Sequence, residues 1–270
     1  MNRVALVQMV SSSRVDENLR HVEQFMLQAR SEGAELIVLP ENFAFMGLKE
    51  TDKLAIAESY GEGPIQDKIS QLAKKTGLWV VAGTIPVKGS GTKVRASSIV
   101  FDDQGKHVAR YDKIHLFDVR VSEQEAHQES STIERGHSVV VLDTPVGTIG
   151  LTVCYDLRFP ELYQQLLLKG AQIFTVPSAF TAVTGLAHWE VLLRARAIEY
   201  LCYVLAPNQG GQHENGRQTY GHSMVIEPWG KILSQKQVGA GMITADIDLQ
   251  RLEQLRRHFP CVDHHVLALS

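Results

Sequence analysis

The sequence predicts a layered α/β fold with mixed sheets, and two observations carry this prediction. The first is an internal echo: "GAELIVLPENFA" (33–44) resembles "GAQIFTVPSAFT" (170–181). Each copy begins at the end of a helix-like stretch, continues as an apolar strand and ends at a proline and a loop. Before the helix-like stretch of each copy lies another strand, "VALVQM" in the first and "TIGLTV" in the second. The second is that other strand-like stretches pair as hairpins. Helices that alternate with strands in part of the chain, and hairpins elsewhere, predict helices packed on mixed sheets.

The first half of the chain supplies seven elements in order. Apolar spacing predicts a strand, an amphipathic helix over 17–33, a second strand and a helix over 65–76. The strand "LWVVAGTIPV" follows, and then "ASSIVF" pairs with "HVARYDKIHLF" across Asp103-Gln104-Gly105, which has the composition of a turn.

The second half repeats the pattern. The branched run "VGTIGLTV" predicts a buried strand, and Pro160 suits the first position of the helix "FPELYQQLLLKG". After the strand of the second echo, "HWEVLLRARAIEY" predicts a helix that leads into the strand "CYVLAP". A hairpin follows across Trp229-Gly230, between "HSMVIEP" and "KILSQ", and "GMITADIDL" predicts the last strand.

Composition sets limits on function. The chain has 270 residues, 44% of them hydrophobic and 21% charged, with a formal net charge of -3. No linker or low-complexity segment divides it, so a single domain over 1–270 is predicted. No basic block indicates nucleic acid, and no apolar run reaches the ~18 residues of a membrane span. Three cysteines without a CxxC pair, and a first strand that leaves no room for a signal peptide, predict a cytoplasmic protein.

Three side chains follow strand-like stretches and could meet. Cys154 closes a strand, and ligands bind at the carboxyl edge of open α/β sheets. Glu41 follows "LIVLP" in the mirrored unit, and Lys113 lies near the end of a hairpin strand. A thiol with a pKa of about 8.5 needs a base to become a nucleophile, and an oxyanion needs a cation or N–H donors. A carboxylate and an ammonium beside Cys154 would supply both.

From the residues alone, other interpretations remain open. A cysteine after an apolar strand can simply fill the core, a glutamate after proline can be a solvated cap, and a hairpin lysine can lie on the surface. A papain-like protease would pair the cysteine with His188 or His222, although its local signature is missing. The G-x-G-x-x-G motif of dinucleotide enzymes is also missing, and the adjacent pair His264-His265 is unlike a zinc site.

The motifs resemble a known family. "LPENF", "YDKIHLF" and "GLTVCYDLRFPELY" occur in the order typical of the nitrilase superfamily of carbon–nitrogen hydrolases, and the similarity continues through "HWEVLLRARAIE" and "YGHSMVIEPWG". Within that superfamily, the stretch over 178–213 is most similar to the deaminated glutathione amidase branch, with omega-amidase as the nearest relative. The resemblance implies a four-layer-forming α-β-β-α sandwich with mixed sheets, assembled as a homodimer or higher homo-oligomer.

The resemblance also assigns roles to residues. Cys154 matches the family's nucleophile, Glu41 its general base and Lys113 its oxyanion-stabilising lysine. Glu129, in "HQESSTIERG", matches a second glutamate that orients the lysine, and the backbone N–H of Tyr155 is the expected second oxyanion donor. No metal or organic cofactor is implied.

The implied reaction is hydrolysis of a small amide through a cysteine thioester, with ammonia leaving from a primary amide. The expected substrate is a 2-oxo-acid amide, deaminated glutathione first. The alternatives are an omega-amidase acting on 2-oxoglutaramate, another small-amide or carbamoyl hydrolase, and a catalytically inactive binding module. Arg158, four residues after Cys154, is the predicted anchor for a substrate carboxylate, and an ion pair with Glu161 is the structural alternative.

Overall fold

Two six-stranded mixed sheets form the centre of the molecule. The computed structural model describes residues 2–121, 123 and 126–267. The first sheet has the order β14-β1-β2-β3-β4-β5 and the second β13-β12-β11-β10-β9-β8. The strands of the first sheet are β1 (Asn2–Gln8), β2 (Leu36–Val38), β3 (Trp79–Lys88), β4 (Val94–Phe101), β5 (His107–Asp112) and β14 (Gly241–Ile247). The strands of the second sheet are β8 (Val141–Thr144), β9 (Gly147–Leu151), β10 (Ile173–Thr175), β11 (Tyr203–Ala206), β12 (Ser223–Ile226) and β13 (Ile232–Lys236). A separate two-stranded ribbon pairs β6 (Asp118–Arg120) with β7 (Ala126–Gln128).

Helices cover the outer face of each sheet. The helices are α1 (Val15–Ser31), α2 (Pro64–Thr76), α3 (Pro160–Leu168), α4 (Ala182–Thr184), α5 (Glu190–Tyr200) and α6 (Leu249–His258). A π-helical turn, Gly185–Trp189, joins α4 to α5. Within the described ranges, no helix is both long and apolar enough to cross a membrane.

The period-2 pattern of the strands separates the layers. On β1, Val4 and Leu6 face the second sheet and share one core with its strands, whereas Ala5 and Val7 pack with α1 and α2. The core between the sheets extends to α3 and α5 on the far side, through residues such as Leu166. The layer order is therefore helix, sheet, sheet, helix, and the predicted α-β-β-α sandwich is confirmed.

The internal echo corresponds to a structural repeat. In the first sheet, β1 pairs parallel with β2, β2 parallel with β3, and β3 antiparallel with β4. In the second, β9, β10, β11 and β12 repeat this series of two parallel pairings and one antiparallel pairing. The parallel strands β1, β2 and β3 of the first sheet are therefore equivalent to β9, β10 and β11 of the second. In each sheet, the carboxyl ends of these three strands lie together at one edge.

The structure corrects the ends of two predicted strands, and both changes concern the candidate residues. β5 ends at Asp112, so Lys113 lies just beyond it in a loop instead of within a strand that extends to Phe117. β9 ends at Leu151, and Cys154 begins a short 3₁₀ helix, Cys154–Arg158. The apolar residues after β5 are half-buried and Val153 after β9 is buried, but none of them is paired in the sheet. Hydropathy therefore extended both strands too far.

Candidate active site

Glu41 lies in a tight turn after β2. The neighbouring strand β3 comes close to this turn at Gly83, whose φ is +29° and whose Cα could not carry a side chain, because a Cβ there would lie 1.9 Å from the carbonyl oxygen of Pro40. Asn42, at φ +58°, donates its backbone N–H to Thr84 Oγ1 at 2.9 Å. The carboxylate of Glu41 is thus held on a backbone that is fixed from both sides.

Cys154 lies on a second sharp turn, where β9 gives way to the 3₁₀ helix. Its φ is +49°, a left-handed conformation that a non-glycine residue adopts only when its surroundings enforce it. Its backbone N–H donates to the carbonyl of Pro177 at 2.9 Å. The turn places the N–H of Tyr155 in the first turn of the short helix, where the first N–H groups lack an intrahelical partner, whereas the N–H of Asp156 donates to the carbonyl of Val153 at 3.0 Å.

Lys113 joins two glutamates at the base of the site. Its Nζ donates to Glu41 Oε1 at 2.8 Å and to Glu129 Oε1 at 2.9 Å, and its side chain is only 2% exposed. The other oxygen of Glu129 accepts the backbone N–H of Phe117 at 2.7 Å. The structure therefore brings together Glu41, Lys113 and Glu129, as the sequence predicts.

The charges of this cluster determine the protonation state of the thiol. Burial opposes the ionised form of Glu41, but the Lys113 ammonium outweighs it and the pKa of Glu41 is lowered. Burial likewise opposes the Lys113 cation, but Glu129 and Glu41 raise its pKa well above its usual range. Burial and the Glu41 carboxylate together raise the pKa of the Cys154 thiol. The resting site accordingly holds a neutral thiol beside an ionised carboxylate, to which it donates a hydrogen bond.

Asp156 connects the cysteine turn to the lysine loop. It is fully buried, and its Oδ2 accepts the hydroxyl of Tyr111 at 2.7 Å and the N–H of Val153 at 2.9 Å. Its Oδ1 accepts the N–H of His115 at 3.0 Å and lies 2.7 Å from the Nδ1 of the same residue. Tyr111 and His115 flank Lys113, so one carboxylate sets the position of Lys113 relative to Cys154.

The segment after β10 completes the site. The N–H of Ala179 donates to Glu41 Oε2 at 2.9 Å, and Gln209 Nε2 donates to the Glu41 carbonyl at 3.0 Å. Both oxygens of the Glu41 carboxylate therefore have donors, one from Lys113 and one from the backbone. This fixes the orientation of the carboxylate beside the thiol.

A cavity opens above these residues. Glu41, Lys113, Glu129, Cys154 and Tyr155 line it, and its walls combine aromatic and charged side chains from well-separated segments of the chain. The wall residues include Phe45, Met46, Lys49, Lys53, Arg95, Phe117, His127, Phe180, Asn215 and Arg217. A site that is half apolar with a few convergent polar groups has the composition of a small-molecule pocket.

Arg158 does not line this cavity. Its guanidinium packs against two of the wall residues, 5.8 Å from the centre of the Tyr155 ring and 5.4 Å from that of Phe180, and Nη2 is 3.3 Å from His188 Nδ1. Both rings belong to the described lining of the cavity, whereas Arg158 does not. Proximity to Cys154 along the chain therefore does not bring this side chain to the cavity wall.

Two residues in this region escaped the sequence analysis. Asp156 is part of the quoted motif around Cys154, but nothing in one sequence distinguishes a buried linking carboxylate from a helix-entry acid. Arg217 lies some sixty residues beyond the cysteine, in a loop whose polar letters indicate only a turn. Only the folded chain brings it to the same cavity.

The histidines considered for a papain-like site lie elsewhere in the described fold. Neither His188 nor His222 is among the described residues that line the cavity with Cys154. In the described part of the chain, no three His, Cys, Asp or Glu side chains are grouped as metal ligands would be. A thiol, a carboxylate base and a fixed cation in a pocket can instead perform acyl transfer.

Comparison with known proteins identifies the family. The carbon-nitrogen hydrolase family profile matches residues 3–257. The chain belongs to the carbon–nitrogen hydrolase family. Among similar hydrolases, the deaminated glutathione amidase of Yersinia enterocolitica is 42% identical over 270 residues, which cover 99% of this chain and 94% of that protein.

Solved structures agree with this carbon–nitrogen hydrolase assignment. The NitFhit protein of Caenorhabditis elegans is 37% identical and superimposes with a TM-score of 0.92; the match covers 98% of this chain and 65% of that longer one. Nit3 of Saccharomyces cerevisiae, a member of branch 10 of the nitrilase superfamily, is 34% identical with a TM-score of 0.85 and covers 96% and 94%. This hydrolase therefore shares both the sequence motifs and the architecture of the nitrilase superfamily.

Proposed function

We propose that this carbon–nitrogen hydrolase is a thiol amidase whose substrate is deaminated glutathione. The observation that carries the proposal is the buried group of Glu41, Lys113 and Glu129 beside Cys154, in a chain 42% identical to an amidase of that name. Deaminated glutathione is a 2-oxoglutaryl group joined by an amide to cysteinylglycine. The departing group from this substrate is therefore the amine of cysteinylglycine, whereas a primary amide such as 2-oxoglutaramate releases ammonia.

In the acylation step, Cys154 Sγ attacks the amide carbonyl while Glu41 takes the thiol proton. Because the resting thiol is neutral, it loses its proton in the same step in which the sulfur attacks, and no thiolate forms beforehand. The oxyanion is stabilised by the Lys113 ammonium and the Tyr155 N–H, in a buried site where such contacts are strong. Glu41 then returns the proton to the nitrogen, the C–N bond breaks, and the acyl group remains as a thioester.

In the deacylation step, water replaces the departed amine. Glu41 removes a proton from the water, which attacks the thioester carbonyl in the same oxyanion site. The carbon–sulfur bond breaks, the thiol regains a proton, and 2-oxoglutarate leaves as the free acid. Glu129 does not touch the reacting atoms in this scheme; it holds the lysine in place.

Two other functions remain as alternatives. An omega-amidase would prefer 2-oxoglutaramate, and a binding module would bind ligand without turnover. The buried carboxylate of Glu41 argues against the binding module, because keeping Glu41 ionised beside a thiol costs desolvation energy that binding alone does not require.

The test compares the two amides through their common product. Purified protein is given deaminated glutathione or 2-oxoglutaramate, and 2-oxoglutarate is measured with a coupled dehydrogenase. We expect kcat/KM to be higher for deaminated glutathione, no turnover by Cys154→Ala, and full turnover by Cys202→Ala, which removes another buried cysteine. A higher value for 2-oxoglutaramate would favour the omega-amidase, and binding without product would favour the module.

We also propose that the protein forms a homodimer. The exposed end of α5 carries Ile198, which adjoins Gly230, and the neighbouring Trp229 is 57% exposed and contacts Phe259 edge-on. A second copy of the same surface would bury these side chains. We expect Ile198→Asp to halve the mass measured by light scattering and Val108→Asp, on β5, to leave it unchanged. An equal mass for wild type and Ile198→Asp would contradict this interface.

A cytoplasmic location fits the three cysteines, which are all free thiols. We propose that location on this ground. Fluorescence of a tagged copy in cells of the source organism, compared with markers of each compartment, tests it.

A further inference from the structure

Arg217 is a cation at the cavity wall that makes no direct ion pair with a described residue, although its charge helps to lower the pKa of Glu41 and of Glu50. Three other cations of the wall are paired: Lys113 with two glutamates, Arg95 with Asp112 and Glu134, and Lys53 with Glu50. Lys49 also has no ion pair within the described ranges, but it is exposed to solvent. The charged atoms of Arg217 have no ion pair within the described ranges. Its Nη2 donates instead to the carbonyl of Ala179.

Part of this guanidinium is buried without a hydrogen bond. The Nε of Arg217 is buried and has no partner among the described residues, although the side chain as a whole is only half-buried. A buried donor left unsatisfied costs free energy, so such a group in a functional site indicates a missing acceptor. Nε and a terminal nitrogen form the fork that binds a carboxylate with two parallel hydrogen bonds.

The charge of the site makes an added cation necessary for an anionic substrate. Glu41 and Glu129 carry two negative charges and Lys113 one positive charge, so the floor of the cavity is anionic before substrate enters. A carboxylate brought close to this floor is repelled unless another cation meets it. Arg217 is positioned to do so.

The position of Arg217 indicates which carboxylate it meets. The peptide of Ala179 joins it to the proposed base, since the Ala179 N–H donates to Glu41 and its carbonyl accepts from Arg217. The guanidinium therefore lies within one peptide of the Glu41 carboxylate. In an extended 2-oxoglutaryl group, the acid carbon lies about 5 Å from the carbonyl that Cys154 attacks, whereas the glycine carboxylate lies farther away on the departing side.

We propose that Arg217 binds the 2-oxo-acid carboxylate of the acyl group and thereby selects amides of 2-oxo dicarboxylic acids. The inference rests on the proposed function and names the part of the substrate that this site recognises. It replaces Arg158, which packs against the rings of Tyr155 and Phe180 and is not among the described residues that line the cavity.

The kinetic test uses Arg217→Gln and Arg158→Gln with three amides: deaminated glutathione, 2-oxoglutaramate and pentanamide, which has the same acyl length but no carboxylate. For Arg217→Gln we expect kcat/KM to fall on the order of 10- to 100-fold for both 2-oxo-acid amides, mainly through KM, and to change less than about threefold for pentanamide. Arg158→Gln should spare all three. Thermal melting checks that each variant is folded.

A binding test removes the dependence on turnover. Calorimetry measures the affinity for 2-oxoglutarate in Cys154→Ala and in the same protein with Arg217→Gln added. We expect Kd to rise by a similar factor in the second protein, and the affinity for cysteinylglycine to stay unchanged.

Each other outcome overturns the inference in a distinct way. An equal loss for pentanamide would mean that Arg217 acts through Glu41, and a loss confined to deaminated glutathione would place the glycine carboxylate at Arg217. A selective loss in Arg158→Gln instead would restore the sequence-based assignment. If wild type is active on deaminated glutathione but Arg217→Gln is indistinguishable from it, only this inference fails. If wild type hydrolyses neither 2-oxo-acid amide, the proposed function fails first.

Discussion

Replacing Asp156 with asparagine should separate the two halves of the catalytic cluster without removing any catalytic atom. The buried carboxylate accepts hydrogen bonds from Tyr111, Val153 and the backbone of His115. The asparagine side chain has the same shape but only one acceptor oxygen. Because the N–H groups of Val153 and His115 point at different oxygens of Asp156, the NH₂ group of asparagine must face one of these two donors. One buried donor is then left unsatisfied, at a cost of about 1–3 kcal/mol in stability.

The effect on catalysis should exceed the effect on stability. Val153 adjoins Cys154, and Tyr111 and His115 flank Lys113, so relaxation around the asparagine shifts the thiol relative to the ammonium. A displacement of about 1 Å in such a group costs on the order of 10²-fold in rate. We therefore expect kcat for Asp156→Asn to fall by about that factor while KM changes little, because the substituted side chain does not line the cavity.

The assay is steady-state release of 2-oxoglutarate, with thermal melting and circular dichroism to confirm folding. Asp143→Asn is the matched control, since that aspartate is exposed on β8 and bonds only to the Thr148 side chain there. A folded Asp156→Asn protein with kcat within threefold of wild type would refute the claim that this carboxylate sets the catalytic geometry.

Three further changes test the cluster directly. Glu41→Gln should stay folded but form no thioester. Mass spectrometry after rapid mixing with substrate measures the acyl adduct, and an adduct that forms at the wild-type rate would contradict the assignment of Glu41 as the base. Lys113→Met leaves the buried Glu41 and the half-buried Glu129 without their cation. We therefore expect a loss of about 3–5 kcal/mol in the free energy of unfolding by urea and at least 10²-fold in kcat. A kcat near that of wild type would exclude the oxyanion role. The pKa of the Glu41 carboxyl is lowered from its ordinary 4.5, so this base stays ionised as pH falls to that value. The stabilisation of the folded state by the ionised carboxylate is present above pH 4.5 and is lost only as pH falls below 4.5. The acid limb of kcat/KM for pentanamide should therefore lie below pH 4.5, and a midpoint above pH 5 would contradict the lowered value.

The sequence predicted the order of the main elements because each half of the chain carries clear periodicities. The echo of "LIVLP" and "IFTVP" placed Glu41 and the segment after β10 at equivalent strand ends, and the fold has them there. Strand ends were less predictable. Apolar residues such as Val153 stay buried after leaving the sheet, and hydropathy alone cannot tell a paired backbone from an unpaired one.

The site was predictable only as far as motifs reach. Glu41, Lys113, Glu129 and Cys154 each stand in a recognisable stretch, and the structure brings the four into one cluster. Arg217 could not be found in this way, because its place in the cavity depends on how a loop between two strands of the second sheet folds over the carboxyl ends of the parallel strands. Arg158 is not among the described lining residues, because nearness in sequence says nothing about the direction of a side chain.

The neutral state of the Cys154 thiol has a consequence for the durability of the enzyme. Peroxides and alkylating agents react with thiolates, and a cysteine held as a thiol enters the oxidation ladder slowly. In the proposed mechanism, the proton leaves as the sulfur attacks an amide carbonyl. Because a raised pKa leaves little thiolate in the resting protein, Cys154 is expected to be alkylated and oxidised slowly until substrate binds.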